Sequence, residues 1–341
     1  PCESWVNVHS LGVRGDGVTD DTEALRAAIA EHRALYLPTG RYIVTDTLTL
    51  QPDTVLIGLS PIATQLVVPD DTPAFQGAVA EREPPEAPPW LAQMLAARRK
   101  PGEPAPRLPR WLSGPPPAIE GPPKALLEAP RGGTNIVTGL GLDPGGTNVC
   151  AVAAVWRAGA DSMMNDVRFM GGHGMFTADG ARISPYNENR TADGNPDHVW
   201  DSQYWSLWVT DGGGGTFKDI WTPSPTAHAG LYVSDTETPG RIYAMSVEHH
   251  VRNEVIFRNV ANWRIFALQL EEESGEGTSA LPVELDRCRD LTFANLYLYR
   301  VIRMVTSFPY GVRMTGCRDI TFHGVHVYSP TKFSFDNAVY D

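Results

Sequence analysis

Gly15-Asp16-Gly17-Val18-Thr19-Asp20-Asp21-Thr22-Glu23, answered at 35–43 by Leu-Tyr-Leu-Pro-Thr-Gly-Arg-Tyr-Ile, decides how the rest of the chain is read. The first stretch predicts a loop running into a helix. Asp20 is placed to accept from the helix's first free amides, and Glu23, three residues on, to reach back and close a capping box. Leu25, Ala28 and Ile29 then share one helical face. The second stretch predicts a short strand that turns at Pro-x-Gly. Together they describe a small amphipathic plug with an apolar end to cover. The acids of 15–21 also suggest a metal loop, but EF-hand spacing is missing and capping accounts for them.

What the plug would cover is written downstream. From about residue 130 no long helical period occurs, only short β-rich runs separated by Gly, Asn and Asp. Several runs copy one another. Leu281–Leu296 and Tyr310–Val325 share the pattern Arg-Asp-(Leu/Ile)-Thr-Phe, and Met245–Val260 reads as a third copy. Phenylalanines at 169, 217, 257, 293 and 322 read as recurring anchors. Repeats of 20–50 residues indicate a solenoid. Asn259 and Asn295 recur at one turn position, as a structural ladder would. Cys288 and Cys317 fall at matching places in two copies, which predicts packed thiols stacked inside the coil, with a disulfide as the alternative.

The entry segments resemble the start of the pectate-lyase-superfamily right-handed parallel β-helix, in which a helix seals the open end of a strand stack. From Asn135 onward the chain is also similar to bacterial proteins grouped as related to family 28 glycoside hydrolases. The resemblance implies an all-β, single-stranded right-handed parallel β-helix with an N-terminal capping helix, formed by residues 1–341 as one domain. It implies a carbohydrate substrate and, with it, an extracytoplasmic location. Gly171-Gly172-His173-Gly174 resembles the Gly-His-Gly of polygalacturonases. The Asn-Thr-Asp and Asp-Asp segments that should precede it are missing, so no polygalacturonase residue is carried over. The pectate lyases' calcium constellation is not found either, and a bound Ca²⁺ rests only on scattered surface acids. No cofactor is expected.

Residues 79–124 break the pattern: 13 prolines lie between Pro84 and Pro123, around Trp90-Leu91-Ala-Gln-Met94-Leu95. Such chain cannot pair into a ladder, which predicts a surface insertion, either inert or a lid or docking arm. The chain ends in strand-like sequence without an evident cap, so a further domain or subunit is expected beyond Asp341.

Charge narrows the partners. A net −12 disfavours nucleic acid and anionic membrane, and argues mildly against a highly anionic polymer. No stretch approaches eighteen apolar residues, so membrane insertion is not expected. An oligo- or polysaccharide remains the favoured partner.

Stacking turns sequence period into geometry, with residues one coil apart lying about 4.8 Å apart. Aligning the copies puts Glu248, Glu284 and Arg313 at one outward position on three successive coils. Asp211 should end an equivalent strand one coil before Glu248, on the same face. A carboxylate pair one coil apart is near the separation retaining glycosidases use; the alternative is a plain solvated ladder. Gln269, Glu271 and Glu273 face out from a strand that runs into an acidic loop. Tyr204, Trp205 and Trp208 are candidate sugar platforms. His250 shares the outer side with Glu248, while His249 points inward. The candidates are therefore Asp211, Glu248, Glu271 and Glu273 as acid, base or nucleophile. Tyr204, Trp205, Trp208, His250, Arg252, Glu284 and Arg313 are the substrate-binding candidates. A hydrolase comes first, a polysaccharide lyase second, and a non-catalytic glycan-binding or assembly scaffold third.

Overall fold

The computed structural model describes residues 5–79, 119–171, 175–176, 182–183, 201–250, 252–272, 280–300 and 307–341. They form the expected parallel β-helix. Each coil contributes to two parallel ladders. One is a flat sheet running through Leu48–Thr49, Lys124–Ala129, Ala151–Trp156, Leu207–Val209, Leu231–Thr236, the start of Asn253–Glu272, Leu281–Asp286, Phe308–Thr315 and Phe335–Tyr340. The other is a bent sheet running through Ile136–Asp143, Met163–Phe169, Gly215–Pro223, Gly240–Glu248, the end of Asn253–Glu272, Arg289–Arg300 and Arg318–Tyr328.

The bend has a backbone cause. Asp166, Asp219, Ala244, Ala267 and Asn295 all take left-handed φ between 49° and 57°, with Gly139 and Gly324 extending the column. Each interrupts the ladder at the same register. A second column, Asp211, Asp235, Asn259 and Arg287, turns the chain out of the flat sheet. Small or Asx residues dominate both columns because they tolerate this conformation best. Asn259 and Asn295 thus belong to different columns and form no common ladder.

Inward residues stack by kind. Phe217, Ile242, Ile265, Phe293 and Phe322 form one row of the bent sheet. Phe257 belongs to the flat sheet, in register with Leu285. The phenylalanines at 169 and 257 are therefore not equivalent to those at 217, 293 and 322. The true third copy of the repeat is Asn253–Leu268, eight residues beyond the segment the sequence suggested. Cys288 and Cys317 are free thiols in adjacent coils, the amide of Cys288 lying 3.4 Å from the Cys317 sulfur. Burial pushes the Cys288 thiol up to about 12.

At the N-terminal end the helix Thr22–Glu31 buries Leu25, Ala28 and Ile29 against Val8, Val13, Leu35 and Tyr42. The plug is as expected, but its cap is not. Residues Asp16–Asp20 are a strand, not a loop. Asp20 accepts from the Thr22 amide at 2.9 Å, while Glu23 pairs with Arg26 at 2.6 Å instead of closing a capping box. Asp21, buried, accepts from the amides of Arg14 and Gly15 at 2.7 and 2.8 Å and ties the preceding turn to the helix start. Asp16 accepts from its own turn, where the Thr19 and Val18 amides hold its carboxyl down to about 2. The insertion after Val79 is closed at its base by antiparallel pairing of Ala78–Val79 with Ile119–Glu120; residues 80–118, with the Trp90–Leu95 run, lie outside the described residues. Among the described residues, no helix is long and apolar enough to cross a membrane.

Candidate functional site

Strands of the bent sheet end at a corner where the longest connections between coils occur. Two outward rows run along the solenoid axis there. The first is Arg168, Trp221, Ser246, Gln269, Tyr297 and His326. The second, two residues further along each strand, is Pro223, Glu248, Glu271, Tyr299 and Tyr328. The residues between them, Val247, Leu270 and Leu298, are buried in the core, which fixes both rows on the outer surface.

Glu248 therefore stands directly opposite Glu271, not Glu284. Backbone spacing in such a ladder is about 4.8 Å. Each carboxylate takes a hydrogen bond from its neighbour in the first row: Ser246 donates to Glu248 at 2.5 Å and Gln269 to Glu271 at 2.8 Å. Glu248 is 9 % exposed, and Glu271 is the more open of the two. At the other end of the first row, the Arg168 guanidinium lies 3.9 Å from the Trp221 ring centre. Toward the C-terminus Tyr297 stacks on His326 at 4.6 Å, and Tyr299 meets Tyr328 edge-on at 6.0 Å.

Inside the corner lies an ionic layer that the sequence did not reveal. Asp201, fully buried, accepts from the Nε of Arg252 at 2.8 Å and has the His228 ring 3.7 Å away. Burial holds His228 below its ordinary value, although Asp201 pulls the other way. Gln203 donates to the carbonyls of Gly145 and Asn148, bolting this segment to the coil before. His250 and Glu254, both fully buried, meet at 2.6 Å. Glu272 and Arg300 form a third pair at 3.0 Å, one residue past the Glu271–Tyr299 rung.

Of the expected acids among the described residues, Glu248 and Glu271 are brought together and Asp211 is not. Glu273 lies outside the described residues, as does His173 of the Gly-His-Gly segment. His250 does not share the outer side with Glu248; it turns inward to Glu254. Arg252 is committed to Asp201. Asp211 belongs to the turn column of the flat sheet, where it pairs with Arg131, so it is not on the face that carries Glu248. Glu284 and Arg313 continue a different row, that of Trp208, Tyr232 and Ile256 on the outside of the flat sheet. They pair with each other at 2.9 Å. Tyr204, Trp205 and Trp208 form a cluster with Tyr232, Trp205 lying 4.4 Å from the Tyr232 ring. The three pack on Ala125, Val152 and Val155, and Tyr204 donates to the Gly121 carbonyl. They hold down a neighbouring loop as much as they offer a surface. Among the described residues, no group of three or more His, Cys, Asp or Glu could hold a metal ion.

A register signal exists for one rung only. The offset of 28 that lays Asn253–Leu268 on Leu281–Leu296 puts Glu271 opposite Tyr299. Glu248 meets Glu271 at a different offset, 23, between Gly240–Glu248 and the end of Asn253–Glu272.

Comparison with known proteins finds likeness in sequence at the N-terminal end. Residues 5–68 match a family model described as rhamnogalacturonase A/epimerase, pectate lyase-like. The match is confined to the N-terminal coils, about a fifth of the chain. A glucan 1,3-beta-glucosidase of Cochliobolus carbonum is 36 % identical over 59 residues, which is 16 % of this chain and 8 % of that protein. A pre-neck appendage protein of Bacillus phage B103 is 40 % identical over 53 residues, 16 % of this chain and 6 % of that one. These matches therefore span less than a tenth of the relatives' length. Among solved structures, the phiAB6 tailspike in complex with oligosaccharides of Acinetobacter baumannii surface polysaccharide aligns over 95 % of this chain and 47 % of its own, with 15 % identity and a TM-score of 0.45.

Proposed function

We propose that this chain is a carbohydrate-active enzyme, a glycoside hydrolase that cleaves an oligo- or polysaccharide with Glu248 and Glu271. The observation that carries this is their register: two carboxylates on one outward row of neighbouring coils, each held by its own donor. Their backbone separation of about 4.8 Å is close to the roughly 5 Å between the carboxyls of retaining glycosidases. Glu248, the more enclosed, would protonate the leaving oxygen, and Glu271 would attack or activate water. The pectate-lyase-like entry, shared in sequence with a glucan glucosidase, supports a glycan as substrate, and an extracytoplasmic location goes with it.

The test is turnover on a panel of neutral and acidic polysaccharides, read both as new reducing ends and as ultraviolet-absorbing unsaturated product. Reducing ends without unsaturation are expected, with Glu248→Gln and Glu271→Gln each lowering the rate about 10²- to 10⁴-fold. Unsaturated product would replace hydrolysis by a lyase reaction. Binding without any cleavage would make the chain a glycan-binding scaffold. Cleavage that survives both substitutions would move the site elsewhere.

A further inference from the structure

We propose that Tyr297 and Tyr299, then His326 and Tyr328, form a two-rung stacking platform on the C-terminal side of the acid pair. It would take neutral sugar units of a chain laid along the solenoid axis. The platform deepens the reading of Glu248 and Glu271 as the reacting pair, and its residues occupy the same two rows. Gln269 continues into Tyr297 and His326, and Glu271 into Tyr299 and Tyr328, one coil at a time. A sugar extending past the carboxylates in that direction meets rings and nothing else on these rows.

The four rings form one aromatic cluster. Tyr297 and His326 stack face to face across two coils, 4.6 Å between centres and 14° between planes. Tyr299 and Tyr328 meet edge to face at 86°. Tyr297 and Tyr299 lie 5.9 Å apart, so the two rows touch. Tyr328 is 52 % exposed, and His326 is also open. Aromatic faces with polar tips suit sugar rings, whose C–H faces stack while their hydroxyls find donors and acceptors at the rim.

Charge selects the class of sugar. Among the described residues, the two rows carry two carboxylates and no exposed Arg or Lys. Arg168 is 6 % exposed and lies over Trp221, and Arg300 is buried against Glu272. A uronate carboxylate stacked here would face like charge, with no exposed cation among the described residues of these two rows, in a chain of net charge −12. A neutral hexose has no such cost.

Binding can be separated from catalysis by working in the Glu248→Gln/Glu271→Gln background, which cannot turn substrate over if the acid pair is correctly read. Calorimetric titration with cello-, laminari- and maltohexaose and with hexagalacturonate then reads the platform alone. At least one neutral hexaose should bind, more tightly than hexagalacturonate. Tyr328→Ala should weaken that binding about 3- to 10-fold, the value of one aromatic contact, with an unchanged melting temperature because the side chain is exposed. Tyr328→Phe, which keeps the ring, should restore it. Binding within twofold of the parent for both Tyr328→Ala and Tyr299→Ala would overturn the platform. Tighter binding of hexagalacturonate would overturn its preference for neutral sugars. Turnover persisting in the parent double variant would refute the acid pair, while a ring-dependent affinity would still stand.

Discussion

Replacing Arg300 by Met should loosen the last coils while leaving the rest of the solenoid intact. Its guanidinium is fully buried, bonds Glu272 at 3.0 Å and donates to the Ser334 carbonyl at 2.6 Å. It also lies between the rings of Phe308 and Phe335, at 5.9 and 5.5 Å. One side chain therefore fastens three consecutive coils. Removing one member of a buried ion pair leaves the other charge uncompensated, at about 3–5 kcal/mol. The double variant Glu272→Met/Arg300→Met leaves no orphan charge. It loses only the donor to Ser334, about 1–3 kcal/mol, against which apolar replacement gives something back. The double variant should thus be more stable than Arg300→Met alone, with a coupling energy of about 3 kcal/mol. Because each coil of a solenoid contacts only its neighbours, the loss should be local. Native-state hydrogen exchange, resolved by strand, is the assay. Opening of Arg289–Arg300 and Phe308–Thr315 should become easier by the stated amount, and that of Ile136–Asp143 should not change. A cost below about 1 kcal/mol, or additive single-variant effects, would refute the clamp.

Four further outcomes follow from single positions. A Cβ on Gly240 would sit 2.1 to 2.4 Å from the buried ring of Trp263, so Gly240→Ala should cost about 1–3 kcal/mol in chemical denaturation. Asp21→Ala strands the amides of Arg14 and Gly15 and should cost about 2–4 kcal/mol, visible as faster exchange in the helix Thr22–Glu31. Ala267 carries a left-handed φ of 54° between Ala244 and Asn295, so Ala267→Asn should raise stability by about 0.5–1 kcal/mol, read as a higher melting temperature. His228 is held below its ordinary value, so the unfolded chain takes up the proton first as pH falls through about 6.5. Its contribution is complete above that pH and lost below it, and His228→Gln should flatten the fall in melting temperature between about pH 7 and 5.

The plug, the coil and the outward side of Glu248 and Glu271 were legible because they depend on local pattern: helical spacing at 25, 28 and 29, and period-two alternation on either side of each acid. The phase between coils was not. Both sheets present an apolar residue at every second position, so Val247-Glu248 can be laid over Val283-Glu284 without violating any inward site, although the two lie on different sheets. An error of eight residues follows, and it carries Asp211, Glu284 and Arg313 onto the wrong face. The ionic layer was invisible for another reason. Asp201 finds Arg252 across 51 residues, with no repeat to relate the two, and Glu272 finds Arg300 only in the 28-residue register from which the suggested phase departs.

Backbone strain points back to the same corner. Most non-glycine residues with left-handed φ belong to columns that the coil itself requires, one member per turn: the two described above and a third formed by Asn262, Asp290 and Asp319. Among the described residues four do not: Asp71, Lys332, Asp201 and His249. Asp71 and Lys332 sit in exposed turns, where such a conformation is easily accommodated. Asp201 and His249 are fully buried, at φ 54° and 71°. His249 has the costlier conformation, since a bulky ring tolerates it worse than Asp does. It directly follows Glu248 and separates that outward carboxylate from His250, which turns inward to Glu254. The strain lies where the outward acid Glu248 gives way to the buried His250–Glu254 pair. Asp201 takes the matching conformation at the base of the Arg252–His228 cluster. Strain that no structural repeat demands, held in place by buried ion pairs, is characteristic of sites kept for chemistry and not for folding. His249 adjoins Glu248, while Asp201 lies four residues before Trp205 and its partner His228 meets the Tyr204 ring at 6.4 Å, so the strain borders both the acid pair and the aromatic cluster.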